Sequence, residues 1–125
     1  MKTQFSHVNV YSNDLDKSVR FYEEALGFKV LRTKKVVGRE MTLVFMGADD
    51  DVERIELMNT PQYIAGTGSE LNHLAICVND MEEARVLHEK MGCIQMVNEK
   101  AGLYYIADPD GNWIEILPPA RWING

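Results

Sequence analysis

The 125-residue chain has the composition of an ordinary globular protein, with 46% hydrophobic and 26% charged residues and a formal net charge of −6. This acidic balance excludes the basic surface that nucleic-acid or anionic-membrane binding requires. The sequence contains neither a recognisable signal-peptide core nor an apolar run long enough to span a bilayer. We therefore expect a cytoplasmic, single-domain protein that binds neither nucleic acid nor membrane, with Cys77 and Cys93 reduced.

The sequence repeats one unit twice. The stretch FSHVNVYSNDLDKSVRFYEEALGF, residues 5–28, resembles NHLAICVNDMEEARVLHEKMGC, residues 72–93, and their histidines, His7 and His73, lie 66 positions apart. A second landmark, RIELM against WIEIL, places Glu56 and Glu115 59 positions apart. Two copies of this length indicate duplication of one supersecondary block, because a solenoid needs three or more repeats.

The first block predicts a strand, a helix and three further strands. Its first strand alternates, with valines on one face and His7 on the other. The helix is expected to begin after Asn13 or Asp14 and to end at Gly27. Its apolar stripe, at i, i+3 and i+7 spacing, comprises Val19, Tyr22 and Leu26. Three strands follow, KVLRTKKV, EMTLVFM and RIELM, with the charged turn GADDDVE between the last two.

The second block predicts the same succession of elements. Aliphatic residues occupy one face of its first strand, and the helix stripe comprises Ala84, Leu87 and Met91. CIQMVNE, LYYIA and WIEIL complete the block, with DPDGN as a turn that sets the register of the strand carrying Glu115. The sequence thus predicts an α+β fold of two modules, about residues 4–59 and about residues 71–119, joined by a turn-rich linker at about residues 60–70.

Strand periodicity gathers four polar side chains on one face. Successive residues of a strand point to opposite faces, so His7 and His73 lie opposite the aliphatic residues of the first strands. Glu56 and Glu115 lie likewise opposite the aliphatic residues of the last strands. If the aliphatic rows all face the helices, these four residues share the other face, where a shielded carboxylate needs a compensating partner. A divalent metal is one such partner.

Two imidazoles and two carboxylates form a mixed nitrogen and oxygen set that suits nickel, cobalt, iron, manganese or zinc. Four protein ligands leave two octahedral positions for water or substrate, whereas a structural zinc site is typically closed and contains cysteine. An open site implies Lewis-acid chemistry. Taken singly, each of the four residues is more often hydrogen-bonded or solvated than a ligand. The metal interpretation therefore depends on their duplicated positions.

Two other polar features are interpreted as structural. His88 falls on the second helix outside the repeated pattern, and we expect it at the surface. The acidic run Asp49-Asp50-Asp51 lacks the spaced ligands and the glycine of a calcium loop. We therefore expect a solvated hairpin tip there.

The motifs FYEEALGF and DPDGNWIEIL, within a likeness that covers nearly the whole chain, resemble the vicinal-oxygen-chelate superfamily and specifically its glyoxalase I (lactoylglutathione lyase) branch. The resemblance implies two βαβββ modules whose curved sheets form a cupped metal site. It implies His7, Glu56, His73 and Glu115 as the metal ligands. Nickel or zinc is the first choice, with cobalt, manganese or iron as alternatives. It also implies an obligatory homodimer, each site taking one His/Glu pair from each subunit.

The resemblance further implies a reaction. The hemithioacetal of methylglyoxal and a thiol would be converted to the S-lactoyl thioester through an enediolate chelated by the metal. Glu115 would act as the base that moves the proton from C1 to C2, with Glu56 as its counterpart across the substrate. Two alternatives stay open: an epimerase of acyl thioesters, like methylmalonyl-CoA epimerase, and a small-molecule-binding or resistance protein without turnover.

The substrate end of the resemblance departs from the pattern. Family members that use glutathione tend to have an arginine four residues after the first histidine, where this chain has Tyr11. They usually have an asparagine four residues beyond the first glutamate, where this chain has Thr60. Lys100 or Arg39 is a candidate cation for a thiol's carboxylate. The thiol, glutathione or another, is therefore left open, as is the active metal.

Overall fold

A computed structural model of the chain describes residues 1–39, 41–59 and 68–119. The chain forms two compact units, residues 1–64 and residues 65–125. The first unit contains four strands and one helix among its described residues: β1 (Val8–Ser12), α1 (Leu15–Leu26), β2 (Lys29–Lys35), β3 (Thr42–Gly47) and β4 (Ile55–Asn59). The second unit repeats this order: β5 (His73–Cys77), α2 (Met81–Met91), β6 (Ile94–Asn98), β7 (Leu103–Ala107) and β8 (Trp113–Leu117).

Each unit contains one mixed four-stranded sheet. The strand order is β1-β4-β3-β2 in the first unit and β5-β8-β7-β6 in the second. The first and last strands of each unit pair parallel, and the remaining pairs are antiparallel. The predicted α+β fold with two βαβββ modules is confirmed. Most of the predicted linker lies outside the described residues, apart from a turn closed by a bridge between Ser69 and Asn72.

Both helices begin and end with the same capping chemistry. The carboxylate of Asp14 accepts a hydrogen bond from the Lys17 amide, and that of Asp80 accepts one from the Glu83 amide. Each helix then ends at a glycine with φ of 66°, Gly27 or Gly92, a conformation that glycine adopts without steric cost. The two helix boundaries are therefore fixed by local sequence. No helix within the described ranges has the length and apolarity needed to cross a membrane.

The core of each unit lies against alternate residues of its last strand. Ile55 and Leu57 are 3% and 0% exposed, and Ile114 and Ile116 are both fully buried. The glutamate between each pair of aliphatic residues points to the opposite face of the sheet, because side chains alternate along a strand. Burial of the aliphatic rows therefore fixes the direction of both glutamates.

The buried face of α1 differs from the predicted stripe. The predicted residue Tyr22 is fully buried, whereas Val19 and Leu26 are only half-buried. The helix instead buries Ser18, Phe21, Tyr22 and Ala25. Ser18 can face the sheet because its hydroxyl hydrogen-bonds that of Ser12 on β1 at 2.6 Å, with both side chains fully buried. Two polar side chains that hydrogen-bond to each other can both lie in a core. Hydrophobic patterning does not reveal such positions.

The prediction that His88 lies at the surface is wrong. His88 is fully buried, and its Nδ1 is 2.7 Å from the hydroxyl of Tyr104 on β7. His88 lies four positions after Ala84, so both lie on the same side of α2. The buried phenol supplies the hydrogen-bond partner that a histidine needs in a core, and burial raises the pKa of Tyr104 far above its usual range.

The acidic turn before β8 is organised by one carboxylate. Asp108 is 5% exposed, and its Oδ1 accepts hydrogen bonds from the backbone amides of Asp110 and Asn112, each at 2.9 Å. Its Oδ2 accepts one from the Asn112 side-chain amide at 2.8 Å. The other acidic turn, Asp49-Asp50-Asp51, is exposed as predicted. The turn before β8 is therefore built around a buried carboxylate, whereas the turn at Asp49-Asp50-Asp51 is exposed.

We predict that Asp108→Ala lowers the free energy of unfolding by about 2–4 kcal/mol, since it removes three hydrogen bonds to a buried carboxylate. Urea unfolding followed by circular dichroism measures the loss. Asp49→Ala, at the exposed tip between β3 and β4, is the matched control and should change stability by less than about 0.5 kcal/mol. Equal effects of the two substitutions would contradict a structural role for the Asp108 carboxylate.

Candidate functional site

Cross-strand pairing arranges one row of four side chains across the site-bearing face of each sheet. In the first unit the paired residues, in strand order, are Asn9, Glu56, Phe45 and Arg32. In the second unit they are Ala75, Glu115, Tyr105 and Met96. Directly paired residues point to the same face of a sheet. We call these sets row one and row two, and the glutamate is the only residue type that they share.

The first unit pairs His7 with Glu56 beside row one. His7 precedes Asn9 by two residues, so its side chain lies on the same face. Its Nε2 is 3.0 Å from Glu56 Oε2, and its Nδ1 shares a 2.8 Å hydrogen bond with the Ser6 hydroxyl. The Glu56 side chain is 13% exposed and that of His7 30%. The pair is therefore shielded but open to solvent on one side.

The second unit pairs His73 with Glu115 in the same way. His73 Nε2 is 3.7 Å from Glu115 Oε1, with 22% and 17% of the two side chains exposed. The His73 Nδ1 donates to the Ser69 carbonyl at 3.2 Å, because a carbonyl can only accept. A neutral His73 therefore presents the lone pair of Nε2 towards the glutamate.

An aromatic ring supports each histidine. His7 meets the ring of Phe45 edge-on at 5.5 Å between centroids, and His73 meets that of Tyr105 at 5.1 Å. The guanidinium of Arg32 lies 3.8 Å from the centre of the Phe45 ring and pairs with Glu53. The hydrogen bond to Glu53 raises the pKa of Arg32, and the charge of Glu56 raises it further. Row one therefore carries a permanent positive charge that row two lacks.

Each glutamate accepts one additional hydrogen bond, and the donor residue differs between the two units. The side-chain amide of Asn9 donates to Glu56 Oε1 at 2.8 Å. The hydroxyl of Tyr105 donates to Glu115 Oε2 at 2.9 Å. Burial, the hydrogen bond to Glu115 and the charge of that carboxylate all raise the pKa of Tyr105. The phenol therefore stays protonated at neutral pH and remains a donor.

The donor chemistry of each pair fits a divalent cation. An unprotonated imidazole nitrogen and a carboxylate oxygen repel each other unless a proton or a cation lies between them. Two atoms that are each about 2.1 Å from one cation lie about 3 Å apart at a right angle and about 4 Å apart when opposite. The observed separations of 3.0 and 3.7 Å fall within this range. In each histidine the second ring nitrogen is hydrogen-bonded, an arrangement typical of metal-ligating imidazoles.

Within the ranges that the structure describes, no three or more histidine, cysteine, aspartate or glutamate side chains form a group able to hold a metal ion. Each unit by itself supplies two donors, one nitrogen and one oxygen.

The residues that the sequence analysis considered at the substrate end, two departures from the family pattern and two candidate cations, are not part of the rows as described. Tyr11 is 44% exposed on β1, and Arg39 and Lys100 lie exposed in the turns before β3 and after β6. Thr60 lies outside the described residues. The cation in row one is Arg32, which pairs with Phe45 beside Glu56.

Sequence reasoning missed Arg32 because a bulge changes the register of β2. Val30 pairs with Met46, and regular pairing would then place Leu31 opposite Phe45, but the register shifts and Arg32 takes that place. The donors Asn9 and Tyr105 were missed because strand alternation alone does not tell which residues lie beside the glutamates. Once cross-strand partners are known, both stand beside a glutamate.

The sequence profile of the Glyoxalase/Bleomycin resistance protein/Dioxygenase superfamily matches residues 4–116. A probable lactoylglutathione lyase from Synechocystis sp. is 32% identical over 122 residues, which cover 89% of this chain and 92% of that protein. The lactoylglutathione lyase of Haemophilus influenzae is 30% identical over 127 residues, covering 91% of each chain. The similarity thus extends over nearly the full length of both relatives.

Solved structures show the same similarity. Glyoxalase I of Leishmania major, described as trypanothione-dependent, superimposes with a TM-score of 0.83 at 31% identity, covering 98% of this chain and 91% of that one. The fosfomycin resistance protein FosX of Listeria monocytogenes has a TM-score of 0.74 at 17% identity, covering 94% and 92%. At that identity the second likeness shows the fold alone.

Proposed function

We propose that this chain, which belongs to the Glyoxalase/Bleomycin resistance protein/Dioxygenase superfamily, is a metal-dependent lyase of the glyoxalase I type. It converts the hemithioacetal of methylglyoxal and a thiol to the S-lactoyl thioester. The observation that carries the proposal is the pairing of one imidazole with one shielded carboxylate in each unit. The similarity to lactoylglutathione lyases over nearly the whole chain supports it.

The proposed metal ligands are His7, Glu56, His73 and Glu115. Each unit contributes one nitrogen and one oxygen, so a complete set needs one pair from each kind of unit. We propose that a homodimer supplies them, with the first unit of one subunit joined by the second unit of its partner. Nickel or zinc is the first choice, and cobalt, manganese and iron suit the same ligand types.

A bound divalent cation would supply Lewis-acid chemistry, attracting two adjacent substrate oxygens and stabilising the negative charge that develops on them. The protein's own groups move the proton. Glu115 is the proposed base that takes the proton from C1 and returns it at C2, and Glu56 is its counterpart. General-base catalysis by a positioned carboxylate contributes about 10²–10⁴-fold in rate.

The proposed substrate thiol is anionic. Arg32 lies on the same face as Glu56 and is half-exposed, so its guanidinium can exchange Glu53 for a carboxylate of the substrate. It would take the role that the family resemblance leads us to expect of an arginine at the position of Tyr11. Glutathione, with two carboxylates and one ammonium group, is a thiol of this charge.

We predict that chelator-free protein binds about one Co²⁺ per chain, as two symmetric sites in a dimer require. His7→Ala and His73→Ala should each weaken Co²⁺ binding by more than about 100-fold, because each removes a ligand. Competition with a chromophoric chelator measures the dissociation constant. Glu89→Gln, whose carboxylate pairs with Arg85 on α2, is the control and should bind as the unmodified protein does. A wild-type protein without stoichiometric metal would favour the binding-protein alternative.

Mixing two inactive variants tests whether subunits share the site. If each site combines units from two chains, a heterodimer of His7→Ala and His73→Ala subunits contains one intact site and one site lacking both histidines. Random reassociation should therefore restore about one quarter of the wild-type metal content. Sites built within one chain would give no recovery in the mixture. The unmixed variants are the internal controls.

Turnover tests the reaction. Metal-loaded protein given methylglyoxal and a thiol should form thioester, and chelator should abolish the activity. Glu115→Gln should lower kcat by about 10²–10⁴-fold, whereas Glu89→Gln should not change it. Assays across several metals and thiols identify the cofactor and the substrate. Metal binding without thioester formation for any thiol would direct attention to acyl-thioester epimerisation, and full activity of Glu115→Gln would reject Glu115 as the base.

A further inference from the structure

The two rows conserve their glutamates but surround them with different donors. Row one offers the Asn9 amide from β1, and the equivalent position of row two is Ala75, which has no donor in its side chain. Row two offers the Tyr105 phenol from β7, and the equivalent position of row one is Phe45, which lacks the hydroxyl. The donors therefore approach the two glutamates from opposite neighbouring strands.

In both rows the donor ties one carboxylate oxygen and leaves the other directed at the histidine. Asn9 holds Glu56 Oε1, and Glu56 Oε2 faces His7. Tyr105 holds Glu115 Oε2, and Glu115 Oε1 faces His73. A carboxylate on a glutamate side chain rotates freely about its terminal torsion unless a partner holds it. One hydrogen bond to one oxygen therefore sets the direction of the other.

We infer that Tyr105 and Asn9 are positioning residues that orient Glu115 and Glu56 towards the cation site, each present in only one of the duplicated units. The inference rests on the proposed function, since it assigns these donors a role in metal binding. Neither residue touches the reacting atoms in this role. Each acts through the carboxylate that it holds.

The arrangement also makes the two carboxylates chemically unequal. Tyr105 is buried, and its ring contacts both His73 and Trp113, so the phenol has little freedom to leave Glu115. Asn9 lies exposed on β1, and its amide competes with water for Glu56. Glu115 is therefore held by the more rigid donor.

Two substitutions that copy the opposite unit test the inference. Tyr105→Phe gives row two the residue of row one, and Asn9→Ala gives row one the residue of row two, so each variant is already compatible with this fold. Outer-shell partners of metal ligands typically contribute 10–100-fold in affinity. We expect each variant to bind Co²⁺ about 10–100-fold more weakly, with a changed absorption spectrum of the bound ion. The double variant should bind Co²⁺ more weakly than either single variant, because it loses both donors.

Tyr104→Phe is the matched control. Tyr104 neighbours Tyr105 on β7 but points to the opposite face, where its hydroxyl contacts buried His88. Its loss should lower the melting temperature and leave Co²⁺ affinity and spectrum unchanged. If Tyr105 contributes only to stability, Tyr105→Phe should likewise lower the melting temperature and leave Co²⁺ affinity and spectrum unchanged. If Tyr105 positions Glu115, only Tyr105→Phe should weaken Co²⁺ binding.

The outcomes distinguish the inference from the proposed function. Wild-type protein that takes up no Co²⁺ would overturn both. Wild-type protein that binds Co²⁺, together with a Tyr105→Phe variant of equal affinity and spectrum, would overturn the inference and leave the proposed function standing. Asn9 is exposed, so Asn9→Ala should fold normally. If Tyr105→Phe folds poorly, an Asn9→Ala variant with unchanged Co²⁺ affinity and spectrum would overturn the inference.

Discussion

The parallel pairing of the first and last strands is the constraint on which the candidate site depends. In each unit this pairing sets a histidine-bearing strand beside a glutamate-bearing one, in a register that pairs Asn9 with Glu56 and Ala75 with Glu115. A slip of one residue would turn each glutamate into the aliphatic core and each isoleucine out of it. The hydrophobic burial of Ile55, Ile114 and their neighbours therefore holds the register, and with it the two donor pairs.

That arrangement places a shielded carboxylate in each unit, and each carboxylate needs a compensating partner. Each glutamate is largely shielded from water, where an uncompensated carboxylate costs several kcal/mol. One oxygen of each is satisfied by a protein donor, and the other faces an imidazole whose second nitrogen is already hydrogen-bonded. Under the proposed function, a divalent cation between the two side chains would compensate the charge of each carboxylate.

Much of this could be predicted from the sequence, because it depends on periods of two and on duplication. Strand alternation is enough to place Glu56 and Glu115 opposite the aliphatic rows, and the repeat gives the succession of elements. The caps at Asp14 and Gly27 follow from local chemistry. These features need no knowledge of which strands are neighbours.

The remainder depends on register and on pairwise satisfaction of polar groups. The bulges before Arg32 and Met96 decide which side chains of β2 and β6 share the site's face, and composition does not reveal them. His88 and Ser18 can be buried because a hydroxyl on a strand, that of Tyr104 or Ser12, satisfies each one. A polar residue looks like a surface residue until that partner is known. The same reason concealed Tyr105 and Asn9, which resemble ordinary strand residues until they are seen beside a glutamate.

The divergence of the two rows has a consequence for chemistry under the proposed function. The proposed reaction moves a proton from one carbon to its neighbour on one face of the substrate. Two equivalent bases on opposite sides of the substrate would not distinguish its faces, so one carboxylate should act as the base. Duplication alone would produce such equivalence. Here the two glutamates differ in their hydrogen-bond donor and in the distance to their histidine. The rows also differ in charge, because row one ends at Arg32 and row two ends at Met96. The rows therefore share the proposed ligands and differ in their surroundings, which under the proposed function would allow one carboxylate to act as base while the other stays a ligand.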